Sequence, residues 1–200
     1  MAKSQNGWPV VKTGLTSLPQ VTGKVLTGPT WVVFYWLCQY FHRTVEPITK
    51  TWSWGWSYRR ISGSAKWSNH ASGTAIDLNA PKHPAGKTNT FTNTQEAQIA
   101  LILKAARGVI RWGRLFRDEM HFEIAPGITH AQVQQLATVI LQVALSDAGH
   151  DPGPPDGIRG PRTKAALLAF QTAHKLTPDG LDGPKTWAAL TAAQPKENAA

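Results

Sequence analysis

Two short stretches hold the residues whose types and spacing could do chemistry. In SNHASGTAID, His70 stands seven residues before Asp77 with Gly73 between them to let the backbone turn, and in DEMHFEI, His121 sits among acids. Two imidazoles and one carboxylate make a three-ligand zinc site with a fourth position left for water, the arrangement of a catalytic rather than a structural site. Other chemistries lack their signatures. There is no HExxH, no GxSxG and no GxxxxGK[ST], which removes the helix-borne zinc peptidase motif, the nucleophile elbow and the phosphate loop. The single cysteine, Cys38, lies inside the apolar run WVVFYWLCQYF and reads as a small buried hydrophobe. Metal-assisted hydrolysis is what remains. His42, His83, His130, His150 and His174 have no ligand partner at motif spacing, and no role is assigned to them.

The elements that must position these residues mix helices and short strands. A buried helix is predicted from Pro29 to His42, apolar nearly all round and ending before Pro47. A second fits Thr94 to Gly108. TAIDLN (Thr74 to Asn79) and EMHFEI (Glu119 to Ile124) read as strands. In TWSWGWSY, period-two alternation puts Trp52, Trp54, Trp56 and Tyr58 on one face of a strand, either an aromatic core face or a substrate-lining one. With no regular βαβ alternation, the fold class is α+β: a small antiparallel sheet with helices.

A second domain follows. Ala125-Pro126-Gly127 precedes Thr129 and Gln132, a capping-box spacing ahead of the periodic stretch HAQVQQLATVILQVALSDAG. Further on, DGIRGPRTKAAL and DGLDGPKTWAAL match at eight of twelve positions, 23 residues apart. In each copy a Gly-rich turn opens a helix, with Pro161 and Pro184 suited to a first turn that needs no N–H. The expected division is residues 1–127 and a three-helix domain over residues 128–200.

Charge and hydropathy narrow the function classes. The net charge of +9 lies before residue 128: residues 1–60 hold seven Lys/Arg against one acid, residues 61–127 eight against five, residues 128–200 six against six. Such a field attracts polyanions without choosing among them. No basic run exceeds Arg59-Arg60 and no basic helix is evident, so a nucleic-acid binder is not expected. The longest apolar run has 11 residues, short of the roughly 20 that span a membrane, so no membrane insertion is expected. The first residues contain no continuous apolar segment with a cleavage site behind it, so no signal peptide is expected.

Ser68-x-His70-x-x-Gly73-x-Ala75-x-Asp77, followed by Asp118-x-x-His121-Phe122, resembles the zinc peptidases that include VanY-type D-Ala-D-Ala carboxypeptidases and phage L-alanyl-D-glutamate endopeptidases. The likeness extends upstream through FHRTVEPI and YRRISGS and covers residues 30–125. It implies the lysostaphin/D-Ala-D-Ala metallopeptidase fold, with zinc held by His70, Asp77 and His121. It also implies that Asp118, three residues before the ligand histidine, is the general base, at a position where many relatives carry glutamate. On a regular strand Glu119 rather than Asp118 would share a face with His121, unless a turn enters the strand. Arg59, matching the arginine of the family's YR segment, is the candidate to stabilise the oxyanion or bind a substrate carboxylate, with Arg60 its neighbour. Ser68 would contact substrate or support the site, and Trp67 and Trp112 flank the motifs.

The repeat, with Ala169-Phe170-Gln171 between its copies, looks like the peptidoglycan-binding domain found at the ends of bacterial and phage wall hydrolases. The joint reading is an endolysin: a monomeric zinc endopeptidase of peptidoglycan stem peptides, held in the host cytoplasm until lysis. The alternatives are a D-Ala-D-Ala carboxypeptidase of the same fold and a non-catalytic wall-binding protein.

Overall fold

Pro29 begins the longest helix of the N-terminal part, α1 below, in the computed structural model, which describes residues 1–194. Contacts divide the chain into two units, Met1–Val133 and a second that begins at Gln134. In the first, a hairpin of β1 (Leu15–Ser17) and β2 (Lys24–Leu26) precedes α1 (Pro29–Thr44), β3 (Ala75–Asp77), α2 (Asn93–Ala105), β4 (Ile110–Trp112) and β5 (His121–Ile124). Strands β3, β5 and β4 form an antiparallel sheet with β5 in the centre. The architecture is α+β, as the sequence implied. The hairpin and β4 have no counterpart in the sequence reading, because three-residue strands are too short to show a period.

Strand alternation sorts the sheet into two faces. Ile76, Phe122 and Ile124 are buried on one, where Phe122 meets Phe41 of α1 edge-on at 5.7 Å. Asp77, His121 and Glu123 alternate with them and point to the other, since side chains in a strand switch faces at every residue. Helix α1 also packs on α2. Its interior includes Phe34, Leu37, Cys38 and Phe41, and burial pushes the Cys38 thiol pKa far up, which suits a hydrophobe and not a nucleophile. Helix α2 is shorter than expected: Thr92 and Gln95 form a capping box at its start, and Arg107 and Gly108 take left-handed backbone after its end.

The aromatic stretch is a correction. TWSWGWSY forms no strand; Lys50–Trp52 is a 3₁₀ turn, and Trp54 makes only isolated bridges, to Thr22 and Asp77. Trp52, Trp54 and Tyr58 are exposed, so the residues do not form a core face. Period-two spacing arises here in irregular backbone that runs beside the sheet.

The second unit contains α3 (His130–Asp147), which starts in the first unit, then α4 (Pro161–Ala173) and α5 (Pro184–Ala193). Thr129 and Gln132 bond reciprocally at the start of α3, and Pro161 and Pro184 open α4 and α5. Leu141, Leu145, Leu167, Phe170 and Leu190 are fully buried. The last six residues of the expected domain lie outside the described residues. Among the described residues, no helix is long and apolar enough to cross a membrane.

Candidate metal centre

His70 sits in a 3₁₀ turn, Asn69–Ser72, whose first N–H groups need a cap; Ser68 Oγ accepts from His70 N at 3.3 Å. The turn ends at Gly73 with φ +68°, and a Cβ there would lie 2.7 Å from Leu26 N, so glycine is required twice over, by conformation and by space. The chain then enters β3, where Asp77 stands directly opposite His121 of β5. Opposed residues of an antiparallel pair share a face. Sequence positions 70, 77 and 121 thus converge, and their ligand atoms all lie within 4.8 Å of one another.

The hydrogen bonds around the imidazoles decide which nitrogens face inward. His70 Nδ1 is 2.7 Å from the Gly55 carbonyl, so it carries the proton and leaves Nε2 free. His121 Nε2 is 2.9 Å from Glu123 Oε2, which leaves Nδ1 free. These two lone pairs meet the Asp77 carboxylate: His70 Nε2 is 3.3 Å from Oδ2, His121 Nδ1 2.9 Å from Oδ1, and the two nitrogens 3.3 Å apart. Three buried acceptors facing one another require positive charge between them. Burial opposes charge on His121, yet Asp77 and Glu123 outweigh it and push its pKa up to about 9. Burial likewise would raise Asp77, but the two imidazoles hold it well below the carboxylate range. The donor set therefore fits a divalent cation of the zinc type. Glu123 is itself fixed by Asn69 Nδ2 and by Arg111, whose Nε donates at 2.7 Å.

Asp118 reaches the same place through a turn. Gly113 opens the 3₁₀ turn Gly113–Phe116 straight after β4 and lies beside His121, and a Cβ there would lie 2.2 Å from Asp118 O and 3.0 Å from His121 Cβ. Arg117 takes left-handed backbone, and His121 N donates to Asp118 O at 3.1 Å, closing a turn ahead of β5. Strand parity therefore does not apply between residues 118 and 121. Asp118 Oδ1 is buried without a hydrogen-bond partner among the described residues. Its pKa is raised, first by burial, while His121, His70 and Arg59 pull it down and Asp77 pushes it up. Glu119 is spent elsewhere: fully buried, it accepts from Asn89 N at 2.9 Å, Thr90 N at 2.8 Å and Thr90 Oγ1.

Arg59 is exposed, and Ser68 N donates to its carbonyl at 3.2 Å, which seats it beside the His70 turn. Among the described residues its guanidinium has no hydrogen-bond partner. Arg60 instead lies over the Trp67 ring at 4.7 Å and donates to Ala65 O. Trp67 also packs on Tyr58 at 4.7 Å, and Trp112 stacks on Phe122 and donates to Glu119 O at 2.6 Å. The sequence reading missed the supports from outside the motifs. Asn6, for instance, accepts nothing from the motif but donates from Nδ2 to Thr74 Oγ1 and Ile124 O, and its N–H donates to Asn69 Oδ1 at 2.8 Å. No spacing rule links position 6 to position 69.

Two regions of the chain match known family models. Residues 62–124 match the family model described as D-alanyl-D-alanine carboxypeptidase, and residues 134–190 match a putative peptidoglycan binding domain. The chain thus joins a region similar to VanY-like peptidases to one similar to peptidoglycan-binding domains, a pairing that supports a cell-wall peptidase. Comparison with curated proteins and with solved structures gave no match.

Proposed function

We propose that this chain is an endolysin-type zinc endopeptidase that hydrolyses peptidoglycan stem peptides at the L-alanyl-D-glutamate bond. The observation that carries the reading is the unpartnered buried Asp118 Oδ1 beside three converging ligands. His70, Asp77 and His121 would hold zinc, which when bound polarises a scissile carbonyl and acidifies water. Asp118, with its raised pKa, takes the proton of the attacking water and delivers it to the leaving amine as the C–N bond breaks. Arg59 supplies a positive charge free to meet the developing oxyanion or a substrate carboxylate. Ser68 holds the His70 turn, and Glu123 holds His121. Peptidoglycan is the partner, engaged by both domains, and the excess positive charge before residue 128 favours approach to an anionic wall.

A second reading, a D-Ala-D-Ala carboxypeptidase, is favoured by the description of the matching family model. Mass spectrometry of purified peptidoglycan digested by the zinc-loaded protein separates the two. New amino termini at D-glutamate support the endopeptidase. Free D-alanine with the wall left intact establishes the carboxypeptidase and overturns the endolysin.

A further inference from the structure

Trp54 is bonded to the ligand strand by its main chain: Trp54 N donates to Asp77 O at 2.9 Å and Asp77 N to Trp54 O at 2.8 Å. This is an antiparallel bridge, so the Trp54 side chain lies on the same face as Asp77, as His121 does on the other side. Trp54, Asp77, His121 and Gly113 thus form one row across the sheet. At the far end Phe116 closes over Gly113, its ring 5.8 Å from that of His121. An aromatic side chain bounds the metal-ligand row at each end, and both are open to solvent, Trp54 at 42% and Phe116 at 44%.

The two ends differ in chemistry. Phe116 offers only an apolar ring, already covered on one side by the Arg111 guanidinium at 5.0 Å. Trp54 offers an apolar face and an N–H donor, and among the described residues its indole has no hydrogen bond and no ring partner. By contrast Trp56, two residues on, spends its N–H on Val11 O at 3.0 Å. An exposed indole with its donor uncommitted beside the candidate metal site matches a ligand that is itself apolar on one face and polar at its rim. In a stem peptide cut after L-alanine, that ligand is the muramyl sugar, one residue from the scissile bond.

The geometry points to Trp54 as a substrate-contact residue that stacks on the N-acetylmuramyl ring and directs cleavage to sugar-linked stem peptides. This rests on the endopeptidase reading. Its test compares cleavage of N-acetylmuramyl-L-alanyl-D-isoglutamine with that of N-acetyl-L-alanyl-D-isoglutamine. The wild type is expected to favour the muramyl substrate in kcat/KM by about tenfold, and Trp54→Ala to lose that preference while cutting the acetyl dipeptide within about twofold of wild type. Trp54→Phe retains part of the preference. Because the bridge to Asp77 is made by main-chain atoms, these variants keep the ligand strand in place. Equal loss on both substrates, or no loss on either, overturns the assignment. If the wild type cuts neither, the scissile bond is decided by the peptidoglycan digest above, and the contact by NMR on Asp118→Asn protein. An indole N–H resonance, absent in Trp54→Phe, that moves with the muramyl compound but not with the acetyl dipeptide supports the contact. Movement with both or with neither refutes it.

Discussion

Glu123 accepts the Nε2–H of His121 at 2.9 Å from two residues further along the same strand, so one strand supplies both a candidate metal ligand and the group that orients it. Burial alone would raise the Glu123 pKa; bonds from His121, Asn69 and Arg111 hold it below the usual range instead. Glu123→Ala frees the ring to rotate and removes a charge that strengthens its basicity. Zinc affinity is expected to fall about 10–100-fold. Competition of the apo-protein against a chelator of known strength measures it, and affinity within error of wild type would remove Glu123 from the site.

Asp118 and Glu119 are neighbours with opposite assignments, and the paired variants separate them. Asp118→Asn keeps the shape and removes the proton carrier, so activity on peptidoglycan should drop by about 10²–10⁴-fold with zinc still bound. Glu119→Gln places an amide against the N–H groups of Asn89 and Thr90, and should cost about 1–3 kcal/mol of stability. Turnover, zinc content and thermal melting together read both. Loss of activity in a fully stable Glu119→Gln protein, with Asp118→Asn active, would reverse the roles.

The convergence of His70, Asp77 and His121 was legible because motif spacing survives folding: His70, Gly73 and Asp77 needed only one capped turn to bring them into register, and the helices announced themselves by caps at Thr129, Pro161 and Pro184. Asp118 against Glu119 was harder, since the answer depends on a turn that Gly113 permits by close approach rather than by any local pattern. What supports the site from afar was illegible. Gly55 lends His70 a carbonyl and Asn6 steadies Asn69, contacts across 15 and 63 residues that no period encodes. The aromatic stretch misled for the converse reason: alternation implies a strand only when a partner strand runs alongside it, and Trp54 finds one for a single bridge at each neighbour.

Glu46 gives the fold an acid-sensitive joint outside the His70, Asp77 and His121 cluster. Burial pushes its carboxyl up, but His83 Nε2 at 3.1 Å, Asn79 Nδ2 and Lys82 Nζ at 2.9 Å outweigh this and bring its pKa from 4.5 to about 2. A carboxylate depressed in the folded state adds stability that is fully present above the unfolded value. That contribution is lost as pH falls from about 4.5 towards about 2. Wild type should therefore melt higher than Glu46→Gln at pH 6, with the two curves converging through that window. Melting temperatures that differ by the same amount at every pH would show that the carboxylate's charge contributes nothing.

The repeat in the second unit is closed by two equivalent glutamines, of which the sequence pointed only to Gln171. Gln171 Nε2 donates to Asp179 Oδ1 at 2.9 Å and Leu181 O at 2.9 Å, while its Oε1 accepts from Gly180 N at 2.9 Å. Gln142 does the same for the first copy, donating to Asp156 Oδ1 at 2.9 Å and Ile158 O at 3.2 Å and accepting from Gly157 N at 2.9 Å. Each buried amide ties its loop down with hydrogen bonds from both ends of the amide, so Gln171→Leu should destabilise its loop by about 1–3 kcal/mol. Amide exchange localises the effect in the intact chain: Gly180 N–H should exchange faster in Gln171→Leu with Gly157 unchanged, and the reverse should hold in Gln142→Leu. Equal acceleration of both glycines by either variant would mean that the two copies unfold as one unit and that the glutamines do not act loop by loop.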